Sequence, residues 1–277
     1  MRPPEFKAWP VWKFSWPNPH HVALIGPMIR REVAGRYRGS VLGIIWSLLT
    51  PLFMLAVYTF VFGAVFKTRW AGAGAETPAG EFAIILLAGL LVFQLFAEVV
   101  TRAPSLILTN ANYVKKVVFP LEILCPVALG SALCHAGVSL AVLFGAKLAV
   151  YGSIPLTALW LPAILAPYCL LILGLAWFLA SIGVYYRDVN HLLGTLVTAL
   201  MFLSPIFYPL SALPEWLRPW VALNPIAFPV EATRAVLIFG ETPDLAGLGM
   251  YTVIAIIVAV VGYVWFQKTR RGFADVL

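Results

Sequence analysis

The segment from Arg30 to Phe66 constrains the fold most strongly, because a cluster of arginines precedes a long apolar run. The run from Val41 to Phe66 contains 26 residues and no charge. At about 1.5 Å of helix rise per residue, it exceeds a hydrocarbon core of roughly 30 Å. Positive charge next to a first span favours the cytoplasmic side. The sequence therefore predicts a chain that begins in the cytoplasm and first crosses a membrane here.

The overall composition excludes a soluble globule. Hydrophobic residues make up 61% of the 277 residues and charged residues only 11%, which is too little polar surface for a water-soluble domain of this size. The net charge of +7 does not indicate nucleic-acid binding, because the basic residues cluster at the ends of apolar runs. We expect a multi-pass membrane protein that binds no nucleic acid.

The spacing of apolar runs predicts an all-α membrane protein with six transmembrane helices and with both termini in the cytoplasm. An amphipathic helix from Val22 to Ala34 is expected on the cytoplasmic surface, which divides the chain into an N-terminal part, residues 1–40, and a transmembrane domain, residues 41–277. Between the fifth and sixth spans, prolines separate apolar pieces that are too short to cross. These pieces are predicted to form re-entrant half-helices.

Three ionisable residues inside the predicted spans have simple structural explanations. Glu98 and Arg102 lie four residues apart on the second span and can pair near its inner boundary. His135 lies near the middle of the third span, where a histidine can have a function. We favour a neutral imidazole bonded to a neighbouring helix.

The sequence contains no phosphate-binding loop, metal-ligand motif or nucleophile elbow. We therefore expect neither an enzyme nor a metal site. If the protein moves a substrate uphill, the energy must come from another polypeptide.

Several motifs resemble the permeases of type-2 ABC exporters for bacterial polysaccharides, in the branch that handles O-antigen and capsule. They are Arg30-Arg31-Glu32, the segment Arg36 to Gly43, Trp46 to Pro51, Tyr58 to Phe62, Arg187-Asp188-Val189, Phe202 to Tyr208, and Asn224-Pro225. The resemblance implies a homodimer joined to two copies of a separate ATPase, which would bind ATP and Mg. It also implies export of a lipid-linked polysaccharide through a channel, possible further components in the periplasm or outer membrane, and no cofactor on this chain.

Other functions remain open at this point. Teichoic acid, or a small hydrophobic drug or lipid, could be the substrate of the same kind of permease. A membrane-embedded enzyme that modifies glycans is a third possibility, but its acidic and histidine side chains should converge at one depth. Glu98, His135 and Asp188 instead lie on different segments.

Three groups of residues are candidates for the transport machinery. Aromatic rings can stack on sugars, and the predicted channel residues are Trp46, Tyr58, Phe60, Phe62, Phe66, Phe202, Phe207 and Tyr208. Charged residues near the predicted outer ends are predicted to form a periplasmic gate, and they are Glu231, Arg234, Lys67 and Arg69. Polar residues on the cytoplasmic side are predicted to contact the ATPase: Asn112, Tyr113, Lys115, Lys116, Arg187, Asp188, Arg30 and Arg31.

Each group also has a purely structural explanation. The aromatic rings could face lipid or the membrane interface. The basic turn around Lys115 could serve only to orient the chain, and the N-terminal helix could be only a lipid anchor. Glu231 and Arg234, three residues apart, could form a local ion pair.

Overall fold

The computed structural model describes residues 19–36, 38, 42–43, 45–65, 81–115 and 119–277, with the side chains of residues 19–21, 63–64 and 115 excepted. Within this part of the chain every regular element is helical. The all-α prediction is therefore confirmed for the described residues.

Five helical stretches are long and apolar enough to cross a membrane. They are Ile45–Phe62, Glu81–Thr109, Leu121–Tyr151, Leu156–Tyr185 and Leu245–Val276. A sixth apolar helix, Val189–Leu203, is shorter, with 15 residues. It ends at Leu203, with Ser204 as its C-cap, because Pro205 follows and the residue before a proline is disfavoured in the helical conformation.

The α-helices are numbered along the chain. Their bounds are α1 Pro19–Arg36, α2 Ile45–Tyr58, α3 Glu81–Arg102, α4 Leu106–Thr109, α5 Ala111–Lys115, α6 Leu124–Tyr151, α7 Leu161–Tyr185, α8 Val189–Leu203, α9 Arg218–Ala222, α10 Ala227–Arg234, α11 Leu245–Thr269 and α12 Phe273–Val276. Two π-helical turns, Thr59–Val65 and Ala235–Phe239, continue α2 and α10.

Helix α3 lies at the centre of the subunit. Its side chains are apolar from Phe82 to Phe93, and nearly all of them are buried. It packs against α2, α6, α7, α8 and α10. A helix that is apolar on all sides is stable only when protein or lipid surrounds it, and here protein supplies most of its neighbours.

Helices α7 and α11 form the most extensive helix pair, and glycines allow their close approach. A Cβ atom on Gly174 would lie 2.5 Å from the carbonyl oxygen of Val258, and one on Gly262 would overlap the carbonyl oxygen of Gly174. Membrane helices associate largely through such close packing of small residues. This pair therefore fixes the C-terminal span to the centre of the subunit.

Candidate functional site

The polar turn, residues 103–120, joins α3 to α6 through short helices. Nδ2 of Asn110 donates to the carbonyl oxygen of Leu106 at 2.8 Å, which caps the first of them. The Tyr113 ring stacks on Phe119 with 4.4 Å between the ring centroids. Nη2 of Arg31, on α1, donates to the Tyr113 hydroxyl at 2.8 Å. The N-terminal helix and the polar turn are therefore directly connected.

A network of ion pairs continues this connection into the apolar helices. Nη2 of Arg36 lies 2.7 Å from Oε1 of Glu98, and Nη2 of Arg102 lies 2.7 Å from Oε1 of Glu32. Arg102 and Glu98 approach at 4.0 Å, so the pair predicted from their spacing is present but is the longest of these contacts. Nδ1 of His135 lies 3.1 Å from Oε1 of Glu98, which confirms the predicted bond to a neighbouring helix.

The sequence analysis did not predict the ion pairs between α1 and α3, although the sequence contains a signal for them. Glu32 and Arg36 are four residues apart on α1, and Glu98 and Arg102 repeat the same order and spacing on α3. Two such helices that run in opposite directions place each glutamate beside the other helix's arginine. In addition, the Ile29 side chain of α1 packs directly on Gly130 of α6, in the space that a Cβ atom at that position would need. Helix α1 therefore packs on protein as well as on any lipid surface.

The C-terminal residues support the polar turn from the other side. Nη1 of Arg270 lies 2.9 Å from Oε2 of Glu122, a buried carboxylate just after the turn. Phe273 is fully buried and packs edge-on against Phe266. Helix α12, which begins at Phe273, contacts α5 of the polar turn. The turn is thus enclosed by both ends of the described chain.

The predicted contact residues for an ATPase lie on the surface in this region. Arg30, Arg31 and Asn112 are exposed, and so are Arg187 and Asp188 in the turn between α7 and α8. Tyr113 is half-buried by the contacts described above. The side chain of Lys115 and all of Lys116 lie outside the described residues.

Five of the eight predicted channel aromatics lie in two clusters. In the first, Tyr58 packs near Phe62, with ring centroids 6.4 Å apart, and Phe62 packs on Phe82 of α3 at 4.9 Å. Phe60, between them in sequence, points away from the subunit and is 64% exposed, and Trp46 is also exposed.

The second aromatic cluster lies at the end of α8. Phe202 stacks on Phe207, with 5.6 Å between centroids and 19° between ring planes. The Tyr208 hydroxyl donates to the carbonyl oxygen of Phe202 at 3.2 Å. Helices α2 and α8 both pack on α3, which places the two clusters on helices with a common neighbour. Phe66 lies outside the described residues.

The proline-rich segment, residues 209–242, contains the two described gate candidates, Glu231 and Arg234. Oε1 of Glu231 lies 3.4 Å from Nη1 of Arg234, so the predicted local pair is present. Arg234 is only 1% exposed, and its guanidinium also donates to the carbonyl oxygens of Ile85, Pro205 and Ile206. The charge of Arg234 is therefore surrounded by carbonyl oxygens of this chain and is not exposed at the surface. The other gate candidates, Lys67 and Arg69, lie outside the described residues.

Lys147 is a functional candidate that the sequence analysis did not identify, because a single lysine near the end of an apolar run forms no recognisable pattern. The side chain is 5% exposed, and Nζ donates to the carbonyl oxygens of Leu237 and Ile238, the latter at 3.0 Å. The lysine Nζ also lies 5.5 Å from the centre of the Tyr151 ring. Among the residues that the structure describes, no three histidine, cysteine or acidic side chains come together to hold a metal ion.

The chain is similar to known transport proteins over most of its length. A family model for ABC-2 type transporters matches residues 24–238. The O-antigen export system permease protein RfbA of Myxococcus xanthus is 28% identical over 255 residues, which are 91% of this chain and 94% of that protein. RfbA of Klebsiella pneumoniae is 26% identical over 260 residues, covering 92% and 95% of the two chains. The polysialic acid transport protein KpsM of Escherichia coli is 25% identical over 244 residues, covering 84% and 89%.

Proposed function

The chain belongs to the ABC-2 type transporter family, and from this premise we propose that it is the membrane permease of an exporter of lipid-linked polysaccharide. The observation that carries the proposal is the similarity to O-antigen and polysialic acid permeases over at least 84% of the chain. The five apolar helices supply the membrane-spanning part. O-antigen or capsule is the proposed substrate class.

The proposed complex is a homodimer of this chain with two copies of a separate ATPase, in the bacterial inner membrane. Helix α8, together with the residues after it, would complete a sixth crossing and leave both termini in the cytoplasm. At about 1.5 Å per residue, its 15 residues span roughly 22 Å, somewhat less than a hydrocarbon core. ATP and Mg would bind the ATPase chain, and further export components could act beyond the membrane.

The proposed substrate path runs past the two aromatic clusters. Apolar ring faces can stack on sugar rings without requiring one pattern of hydroxyl groups, which suits a polymer that must slide. Phe60 and Phe202 are 64% and 61% exposed in the single subunit, so both rings are accessible to a substrate or to the second copy.

The proposed ATPase contact is the polar turn with the adjacent N-terminal helix. Asn112, Arg30 and Arg31 are exposed there, and Tyr113 connects the turn to α1. The network of Glu32, Arg36, Glu98 and Arg102 extends this connection into α3. A push on the turn would thus reach the centre of the subunit. Arg187 and Asp188 provide a second exposed turn for the same partner.

The proposed outer gate is the proline-rich segment, as two re-entrant half-helices. Its irregular backbone is compatible with membrane depth only where protein or water satisfies the free polar groups. The buried Arg234 of the segment donates hydrogen bonds to the carbonyl oxygens of Pro205 and Ile206, in the irregular backbone that leads into it. Lys67 and Arg69 remain part of the proposal as charges near the exit.

Gene deletion tests the proposed function. Without this permease, the lipid-linked glycan should disappear from the cell surface and accumulate on the cytoplasmic side. The wild-type gene should restore the surface glycan, but only when the partner ATPase can hydrolyse ATP. Unchanged surface glycan, together with a lost resistance to small hydrophobic compounds, would instead identify a drug or lipid permease.

A further inference from the structure

The two halves of the proline-rich segment are attached to the subunit in different ways. The second half, residues 225–240, contains α10 and the π-helical turn Ala235–Phe239. The first half, residues 209–224, contains a short 3-10 turn and α9.

Arg234 fixes the second half to two other parts of the chain. Nε donates to the carbonyl oxygen of Ile85 on α3 at 3.2 Å, and the two terminal nitrogens donate to Pro205 and Ile206 just after α8. A Cβ atom on Gly89 would lie 2.5 Å from Nη2, so the guanidinium occupies space that α3 leaves free. A buried charge is tolerated only with such partners, and any movement of α10 would remove them.

Lys147 and Thr157 fix the other end of the second half. Lys147, on α6, donates to the carbonyl oxygens of Leu237 and Ile238. Oγ1 of Thr157, just before α7, donates to the carbonyl oxygen of Val236 at 2.7 Å. The last carbonyl groups of a helix lack partners within it and attract positive charge. Three successive carbonyls are therefore held by two neighbouring helices.

Among the described residues, the first half makes most of its hydrogen bonds within itself. Arg218 donates to the carbonyl oxygens of Leu213 at 2.9 Å and Ser211 at 3.1 Å, all in the same half. Trp216, Trp220 and Leu223 are 71%, 70% and 76% exposed.

Among the described residues, the first half makes its side-chain hydrogen bond to the preceding helices at its last residue, where Nδ2 of Asn224 donates to Oγ of Ser204 at 2.9 Å. The second half begins with a bond of its own, from the Tyr251 hydroxyl to the carbonyl oxygen of Pro225 at 2.8 Å. These two bonds mark a boundary at residues 224–225.

We propose that Lys147 and Arg234 are positioning residues that hold the second half as a fixed part of the exit, while the first half moves about residues 224–225 during export. The proposal rests on the proposed function, because it requires a cycle driven by the partner ATPase. Residues Leu210 to Leu223 are then the moving part of the gate. The charge of Arg234 acts on the backbone of this chain rather than on the polymer.

Hydrogen exchange of the whole complex in lipid nanodiscs, measured without nucleotide and with a non-hydrolysable ATP analogue, tests the proposal. Amides of residues 227–239 should exchange at least about tenfold more slowly than those of 210–223, because their opening requires loss of buried contacts. The nucleotide should change exchange in 210–223 and leave 227–239 unchanged. Equal changes in both halves, or no change in the first, would overturn the proposal.

Lys147 variants add a second measurement. Lys147→Met should raise exchange at residues 235–240 and reduce export, and Lys147→Arg should restore both because it keeps a cation near the same carbonyls. Normal exchange at 235–240 in Lys147→Met would contradict the assigned role. The wild-type comparison still decides the proposal if Lys147→Met does not fold. Failure of the wild-type complex to export glycan would count against the proposed function alone, since the exchange pattern is measured independently of substrate.

Discussion

Nη2 of Arg36 lies 2.7 Å from Oε1 of Glu98, and this pair links the N-terminal helix to the most buried helix of the subunit. Residues 36 and 98 belong to segments that hydropathy alone would treat separately. His135 of α6 contacts the same carboxylate, so three helices meet at one charge. The ion pair therefore holds α1 against the apolar helices α3 and α6.

The Arg36–Glu98 pair should contribute measurably to stability. A double-mutant cycle with Arg36→Gln and Glu98→Gln should give a coupling free energy of about 1 kcal/mol, because the arginine is partly exposed and solvent screens the pair. Thermal unfolding of the purified protein measures it. Arg187→Gln, which changes an exposed cation in another turn, is the matched control. Strictly additive single effects would show that the pair contributes nothing.

Tyr113→Asp should uncouple ATP hydrolysis from export. The substitution removes the stacking on Phe119 and the hydroxyl that accepts from Arg31, while leaving the apolar helices unchanged. We expect normal membrane insertion, retained ATPase activity and export reduced by about tenfold, as a loss of roughly 1.4 kcal/mol in coupling would produce. Tyr113→Phe keeps the ring that stacks on Phe119 and adds no charge, so it serves as the matched control. Unchanged export in Tyr113→Asp would refute the coupling role.

Gly262→Ala should destabilise the subunit, whereas Gly249→Ala on the same helix should not. A methyl group at 262 would collide with the backbone of Gly174, and nothing lies within 4 Å of a Cβ at 249. Overpacking of this kind costs about 1–3 kcal/mol. The melting temperatures of the two variants provide the comparison. Equal melting temperatures would mean that α7 and α11 do not meet at these glycines.

The exposed channel rings should matter for export and not for folding. Phe60→Ala and Phe202→Ala should each lower the export rate several-fold, because a stacking surface is worth about 1 kcal/mol, with little change in melting temperature. Leu192→Ala, also on α8 and exposed, is the control for loss of a large apolar group. Normal export in both phenylalanine variants would favour lipid-facing rings.

The helical spans could be predicted from the sequence because the hydrophobicity and the length of an apolar run are both local properties of the chain. Among the described residues, five of the six predicted spans correspond to helical stretches long and apolar enough to cross a membrane.

The contacts between segments could not be predicted, because they depend on which helix faces become neighbours. Lys147 lies near the end of an apolar run, and nothing in the sequence indicates a role for it. Only the position of the carbonyl groups of Leu237 and Ile238 shows why a lysine is buried there. Likewise, the spacing of Glu231 and Arg234 predicted their local pair, while the contacts of Arg234 to Pro205 and Ile206 require the tertiary fold.

Transport by the purified complex tests the central claim most directly. The permease and its ATPase are reconstituted in vesicles with a lipid-linked polysaccharide, and the glycan that reaches the opposite side is measured by its sensitivity to an added glycosidase. We predict ATP-dependent movement of glycan that stops when the ATPase is inactivated and that falls in Tyr113→Asp. ATP hydrolysis without any movement of glycan, in vesicles where the wild-type proteins are correctly assembled, would contradict the account.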